Sequence, residues 1–60
     1  MPESKLIKAF IGRDVDVDRL DGRQLHGLLV NASRRSLWLV EDDEDVMIPL
    51  TLVADLRLAS

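Results

Sequence analysis

Residues 14–29 read DVDVDRLDGRQLHGLL, and this stretch decides the fold. Val15 and Val17 alternate with aspartates, which is typical of a β-strand with one face in solvent. Asp21-Gly22 then predicts a tight hairpin turn. A second strand follows, and its two faces are Leu25, Gly27 and Leu29 on one side and His26, Leu28 and Val30 on the other. A glycine in mid-strand indicates a bulge or a sharp bend, which a small closed barrel needs.

Two apolar runs further along the chain predict two more strands. They cover 37–40 (LWLV) and 46–50 (VMIPL), and the acidic run 41–45 joins them as a hairpin tip. Uninterrupted apolar runs indicate burial on both faces. Pro49 cannot donate a hydrogen bond to a neighbouring strand, so the fourth strand should lie at a sheet edge or be interrupted there. After a short turn at 51–53, a fifth strand is predicted in which apolar and charged residues alternate: Ala54, Leu56 and Leu58 with Asp55 and Arg57.

The segment before the first strand predicts a short helix at about 3–11. Its apolar residues fall four apart, as Leu6 with Phe10 and Ile7 with Ile11. Gly12 follows at the position where a helix often ends. A helix of three turns does not persist alone, so this one should pack on the strands, with Phe10 in the core. The sequence therefore predicts an all-β protein, a short helix followed by five strands at about 14–59 in a strongly bent barrel.

Size and composition indicate an oligomer. The chain has 60 residues, 47% of them hydrophobic, and no cysteine. A domain this small buries only about 60% of its unfolded surface and is marginal unless disulfides, metals or other subunits add stability. Without cysteine, and with His26 as the single histidine, subunit contacts remain. The apolar fourth strand could pair head to tail with the last strand of a neighbour and close a ring.

The charge and the hydropathy of the chain indicate where the protein is located in the cell and which partners are disfavoured. The net charge of -3 argues against strong non-specific binding to nucleic acid, which clustered lysine and arginine drive. No run approaches the roughly 18 apolar residues of a membrane span, and the N-terminus lacks a signal-peptide core. We therefore expect a cytoplasmic protein without a membrane partner.

These features resemble the Sm-like family of Sm, LSm and Hfq proteins. Its first motif has alternating apolar residues, a turn ending in glycine, a second glycine and an apolar position, matched here by Val15-Asp-Val17, Asp21-Gly22, Gly27 and Leu29. The segment 21–27 is most similar to the Hfq version. The second motif is matched by 46–50, 51–53 and 54–58. The resemblance covers nearly the whole chain and implies one Sm-like domain over 1–60, with an SH3-like barrel. It also implies a homo-oligomeric ring of about five to seven subunits that binds single-stranded RNA.

Two loops supply most pore contacts in that family, and by position they are 33–36 (SRRS) and 49–51 (PLT). Both depart from the family pattern. Ser33 stands where an aspartate is usual, and Ser36 or Leu37 replaces a base-reading asparagine. The second loop lacks the Arg-Gly of Sm proteins and the Lys-His of Hfq. The resemblance therefore implies the fold but not the standard uridine pocket.

Arg34 and Arg35 are the main candidates for RNA contacts. Repeated around a ring, they would concentrate guanidinium groups that suit phosphate forks and base stacking. Ser33 and Ser36 are their hydrogen-bonding neighbours. The alternative is a turn that is merely charged and pairs with the acidic run 41–45 of a neighbouring subunit.

A second set of candidates, Arg23, Gln24 and His26, corresponds to one RNA-contacting face of Hfq. Glutamine and histidine side chains can hydrogen-bond base edges. The alternative is the ordinary polarity of an exposed strand. Trp38 lies in an apolar run and has no aromatic companion, which favours the core or a subunit interface over a base-stacking role.

No pattern of residues predicts catalysis, a metal site or a cofactor. The run 41–45 lacks the ligand spacing and the turn glycine of a calcium loop, and His26 has no partners in the order of a catalytic triad. The sequence thus predicts a ring that binds single-stranded RNA and is not an enzyme. Two alternatives stay open: an oligomeric interaction module without a nucleic-acid role, and an SH3-like monomer that pairs with a protein.

Overall fold

The computed structural model describes residues 7–59, which form a single bent antiparallel sheet of five strands. Its elements are β1 (Asp14–Arg19), β2 (Gln24–Ala32), β3 (Ser36–Glu41), β4 (Glu44–Pro49), a 3₁₀ turn (Leu50–Leu52) and β5 (Val53–Leu58). The strand order is β4-β3-β2-β1-β5, so β4 and β5 are the edges. The all-β prediction and the edge position of the Pro49 strand are confirmed. Within these residues no helix is long and apolar enough to cross a membrane.

Residues 3–6 of the predicted N-terminal helix lie outside the residues that the structure describes. From residue 7 onward the chain makes a final turn, in which the Phe10 N–H donates to the Ile7 carbonyl at 2.9 Å. The Gly12 N–H then donates to the carbonyl of Leu29 at 2.7 Å. Ile7 is buried in the core, while Phe10 is half-buried and packs against it. This turn therefore rests on β2, as the docking prediction requires.

The core lies on one face of the sheet. Its buried side chains are Ile7, Val15, Val17, Leu29, Ala32, Leu37, Leu39 and Ile48. Buried and more exposed side chains alternate along β1 and β3, as expected of strands that have one face on the core. The prediction that β3 and β4 are buried on both faces is wrong for this chain. Trp38 and Val40 are only half-buried on the outer face, and Met47 is 55% exposed.

Gly27 allows the backbones of β2 and β3 to approach closely, and it is not the site of the predicted bulge. A Cβ atom at this position would lie 2.6 Å from the carbonyl oxygen of Val40 in β3. The bulge itself lies between Leu29 and Asn31, where the register with β3 shifts. Asn31 and Ala32 accordingly belong to β2, and the polar turn is shorter than the predicted 31–36.

The acidic hairpin is also tighter than predicted. Its loop is Asp42-Asp43 alone, because Glu41 pairs with Glu44 and Val40 pairs with Asp45. Both loop residues have positive φ, 50° and 65°. Such values belong to the two-residue turns whose twist matches that of the flanking strands. Aspartate tolerates this conformation better than most residues, which allows the short loop.

The last strand departs from simple alternation. Asp18 pairs with Asp55 but Arg19 pairs with Val53, so Ala54 is an extra residue without a partner. The preceding turn spans Leu50–Leu52 and not 51–53. Leu56 is half-buried and Leu58 remains 39% exposed, as expected of an edge strand.

Candidate functional site

The turn after β2 and the segment after β4 lie side by side and form a cleft of about 390 Å³. Its lining residues are Arg34, Arg35, Ser36, Pro49, Leu50 and Thr51. Residues from both predicted pore loops, 33–36 and 49–51, therefore meet at one place. Pro49 and Leu50 are half-buried, while both arginines and Thr51 are exposed.

The β3–β4 hairpin brings the two segments together. Its two-residue turn sets the register so that Ser36, at the start of β3, pairs with Pro49 at the end of β4. Just beyond this pair, the Leu50 N–H donates to the Arg35 carbonyl at 2.7 Å. The cleft is thus fixed by backbone contacts and does not depend on side-chain packing alone.

Ser33 holds the shape of the arginine turn. Its hydroxyl oxygen accepts hydrogen bonds from the backbone N–H groups of Arg35 and Ser36, both at 3.2 Å. Its own N–H donates to the Ser36 carbonyl at 2.9 Å. A hydroxyl that caps its own turn in this way is a common local motif. Ser33 does not line the cleft, so it contributes to the site by fixing the turn that carries the two arginines.

The cleft is cationic. Arg34 and Arg35 are exposed, and none of the ion pairs formed among residues 7–59 includes either guanidinium. Each presents a planar set of donors that matches phosphate or carboxylate oxygens. Beside them, Pro49 and Leu50 supply an apolar wall. This arrangement can hold an anion that also carries a flat apolar group.

Gln24 and His26 lie elsewhere, on the outer face of β2 beside β1. Gln24 Nε2 donates to Oδ1 of Asp18 at 3.0 Å, and Nδ1 of His26 lies 2.7 Å from Oδ1 of Asp16. This hydrogen bond to Asp16 raises the pKa of His26, and the negative charges of Asp16, Asp14 and Glu41 add to the effect. The structure does not bring these two residues to the cleft, and it surrounds them with carboxylates.

Arg57 of β5 also contacts the carboxylates on this face. Arg57 Nη1 donates to Oδ2 of Asp18 at 2.7 Å and to Asp55 at 3.1 Å. The hydrogen bond from Arg57 lowers the pKa of Asp18. Arg57 is therefore engaged within the chain.

Arg23 stands apart from both groups. It is exposed, and its backbone N–H donates to Oδ1 of Asp21 at 3.0 Å, which lowers the pKa of that carboxyl. Its contact belongs to the β1–β2 turn and not to the cleft. The three predicted residues of the second face thus do not form a joint site with Arg34 and Arg35.

Sequence reasoning did not foresee the partners of Gln24 and His26. A signal was present, because aspartates at alternate positions of β1 must face the polar residues at alternate positions of β2 once the hairpin at Asp21-Gly22 sets the register. Among residues 7–59 no three histidine, aspartate or glutamate side chains are grouped in a way that could hold a metal ion.

The similarity of this chain to a known protein was found in its structure and not in its sequence. No model of a protein family matches the chain, and no curated protein matches it. Its structure is similar to the 1.55 Å crystal structure of the pleiotropic translational regulator Hfq, with a TM-score of 0.84 and 18% sequence identity. The match covers 90% of this chain and 93% of that one, so it includes nearly all of both molecules. The chain therefore has the Sm fold.

Proposed function

We propose that the chain is a cytoplasmic Sm-like protein that binds single-stranded RNA as a homo-oligomeric ring, with Arg34 and Arg35 as the principal contacts. One observation carries the proposal: two arginines without an ion-pair partner among residues 7–59 stand at a cleft with an apolar wall. The similarity to the translational regulator Hfq supports the same class of function.

The chemistry of the cleft suits a single strand better than a duplex. Guanidinium groups bind phosphate oxygens in a fork and stack on bases. Leu50 and Pro49 offer an apolar surface to a base face, and single-stranded RNA leaves that face uncovered. Ser36 and Thr51 add hydroxyl groups within reach of base edges.

The two free edges of the sheet support the proposal of a ring. β4 and β5 each have a neighbour on one side only, and an unprotected edge pairs readily with another chain. Joining β4 of one subunit to β5 of the next would repeat the cleft about five to seven times around one axis. Repetition matters here because the net charge of -3 would otherwise work against binding of RNA.

The test is the affinity of short labelled poly(U) and poly(A) RNA at low salt, by mobility shift. We expect the variant Arg34→Glu/Arg35→Glu to bind at least about tenfold more weakly than wild type, since phosphate contacts dominate such affinities. The slope of log affinity against log salt should also become shallower, by roughly 0.7 for each phosphate that the variant no longer neutralises.

The matched control is Lys8→Glu/Arg13→Glu, which changes the net charge equally at two exposed residues outside the cleft. It should keep most of the affinity. Tight wild-type binding that the arginine variant leaves untouched would contradict the site. An equal loss of affinity in both variants would show that the net charge of the protein, and not the position of the two arginines, controls RNA binding.

The second candidate function is an oligomeric interaction module with no role in nucleic-acid binding. The carboxylates that engage Gln24 and His26 favour it, because they leave that face unsuited to RNA. Protein purified from cells distinguishes the two. Under the proposal its absorbance ratio at 260 and 280 nm shows bound nucleic acid, and under the alternative the protein is clean and binds neither homopolymer.

A further inference from the structure

The outer face of the sheet carries an apolar patch that the chain leaves uncovered. We call it the outer patch; it consists of Leu28, Val30, Trp38, Val40 and Met47. Exposure is 55% at Met47, 43% at Val30 and 38% at Leu28. Scattered apolar residues on a surface need no explanation, but neighbouring ones across three strands indicate an interaction site.

The strand register shows that the patch is continuous. Leu28 of β2 pairs with Val40 of β3, and Trp38 of β3 pairs with Met47 of β4. Val30 is the extra residue of the β2 bulge, between these two rows. Since cross-strand partners lie about 5 Å apart on the same face, their side chains form one surface.

Carboxylates flank this surface on both sides. Asp14 of β1 pairs with Leu28, and Asp45 of β4 pairs with Val40, so one row across four strands reads Asp14, Leu28, Val40, Asp45. Glu41 follows Val40 at the end of β3, and its Oε2 accepts the His26 N–H at 3.2 Å. Asp14 and Asp45 therefore give the patch a carboxylate at each end of this row.

The core and the proposed ring both leave the outer patch free. The core covers the opposite face of the sheet, through Leu29, Leu37 and Leu39. Pairing of β4 with a neighbour's β5 would set side chains of that strand beside Met47, but it would not reach Leu28 and Val30 of β2, two strands further in. The patch therefore needs another occupant.

The acidic rim decides which occupant fits. A nucleic acid would bring phosphates towards Asp14 and Asp45, and like charges oppose its approach. A second copy that docked through the same patch would set these carboxylates against their own counterparts. A segment with apolar side chains between lysines or arginines satisfies both the patch and its rim.

We propose that the outer patch docks a basic, amphipathic segment of a partner protein. Apolar side chains of that segment cover Leu28, Val40 and Met47, and its cationic side chains reach the rim carboxylates. No residue of the patch lines the RNA cleft, but the two sites are neighbours, since Ser36 and Pro49 of the cleft lie two residues from Trp38 and Met47 on the same face.

Trp38 provides a reporter for the test, because it is the only tryptophan of the chain. The probe is a short synthetic peptide of alternating lysine and leucine, titrated at low salt while Trp38 emission and its quenching by acrylamide are followed. We expect a blue shift and protection from quenching. The matched peptides, with serine for leucine or glutamate for lysine, should each bind at least about tenfold more weakly.

Three variants locate the binding. Val30→Ser/Met47→Ser and Asp14→Asn/Asp45→Asn should each lower peptide affinity at least about tenfold. Leu20→Ser is the control, since Leu20 is 66% exposed but lies in the turn after β1. It should bind as wild type does. Arg34→Glu/Arg35→Glu adds negative charge and should not weaken binding of the cationic peptide, which separates this proposal from the RNA cleft. Thermal melts followed by circular dichroism confirm that the patch variants fold.

Several results would overturn the proposal. One is the absence of any change in Trp38 emission, and another is equal binding by the patch variants. Displacement of the peptide by poly(A) would make the patch a nucleic-acid site. A stacked assembly of wild-type protein that Val30→Ser/Met47→Ser dissolves would make the occupant a second copy.

Discussion

At Gly27 a larger residue would place its Cβ atom only 2.6 Å from the carbonyl oxygen of Val40. Relief would require a shift of backbone in β3, which is costly in a packed sheet. We expect Gly27→Ala to lower the free energy of unfolding by about 3 kcal/mol, at the upper end of overpacking effects. Urea denaturation followed by circular dichroism measures the loss.

Gly22→Ala is the matched control for that prediction. Gly22 has a φ of 89° and open space around it, so the added methyl meets only the cost of the backbone conformation. That cost is about 1 kcal/mol. Equal losses of stability in the two variants would contradict steric exclusion at Gly27.

His26 gives a prediction about pH. Its hydrogen bond to Asp16 raises its pKa above the ordinary value of 6.5. The protonated imidazole is the form that Asp16 stabilises, so this stability is fully present below about pH 6.5 and is lost as pH rises through the raised pKa. We expect Asp16→Asn to lower the pKa of His26, measured by NMR titration of the single imidazole of the chain.

Asp14→Asn serves as the comparison at the same face. Asp14 acts on His26 through charge alone, whereas Asp16 also accepts a hydrogen bond. The pKa of His26 should therefore fall less in Asp14→Asn than in Asp16→Asn. A larger fall in Asp14→Asn would show that the 2.7 Å contact does not control the titration.

At the scale of elements, the β3–β4 turn is strained in a way that substitution can relieve. Asp42 and Asp43 both have positive φ and place two carboxylates side by side. Asn-Gly is the sequence that such a turn prefers, because asparagine and glycine adopt positive φ at lower cost. We expect Asp42→Asn/Asp43→Gly to raise the free energy of unfolding by about 1 kcal/mol in urea denaturation.

Asp42→Asn/Asp43→Asn separates backbone from charge in this turn. It removes both carboxylates but keeps a Cβ atom at the second position. If it stabilises the chain as much as the glycine variant does, repulsion between the carboxylates and not backbone conformation is the source of the strain.

A strand could be predicted well where polar and apolar residues alternate along it, and poorly where both of its faces are apolar. β1 could be predicted because Asp14, Asp16 and Asp18 mark its solvent face. The β2 bulge at Val30 could not, since apolar residues on both faces give no sign of a change in register. The runs 37–40 and 46–50 are also apolar at consecutive positions, which suggested burial on both faces. In the structure, Trp38, Val40 and Met47 of these runs lie on the outer face.

At the scale of the whole molecule, the cleft depends on the number of residues in the loop between β3 and β4, because that number sets the register of the two strands. A tip of five residues, 41–45, would pair Val40 with Val46 and move Ser36 off Pro49. The two-residue turn pairs Val40 with Asp45 and brings the 33–36 and 49–51 segments together. The resemblance to Sm-like proteins implied that these segments share a site, but the register that joins them required the structure.

The ring can be tested at one backbone group of β4. In a hairpin with a two-residue loop, hydrogen-bonded and non-hydrogen-bonded pairs alternate from the turn, beginning with the hydrogen-bonded pair of Glu41 and Glu44. The pair of Trp38 and Met47 is then non-hydrogen-bonded, and the Met47 N–H points to the free edge. The same alternation explains why Pro49, two residues on, is tolerated.

A proline at this position removes the edge donor and leaves the bonds between β3 and β4 in place. We expect wild-type protein to elute as a homo-oligomer in size-exclusion chromatography with light scattering, and Met47→Pro to elute as a folded monomer. Met47→Ala keeps the N–H and should stay oligomeric, which separates backbone pairing from side-chain contact. An oligomeric Met47→Pro would exclude β4 as the subunit interface. A monomeric wild type would contradict the ring altogether and favour a lone SH3-like barrel, because in that case both sheet edges remain open in solution.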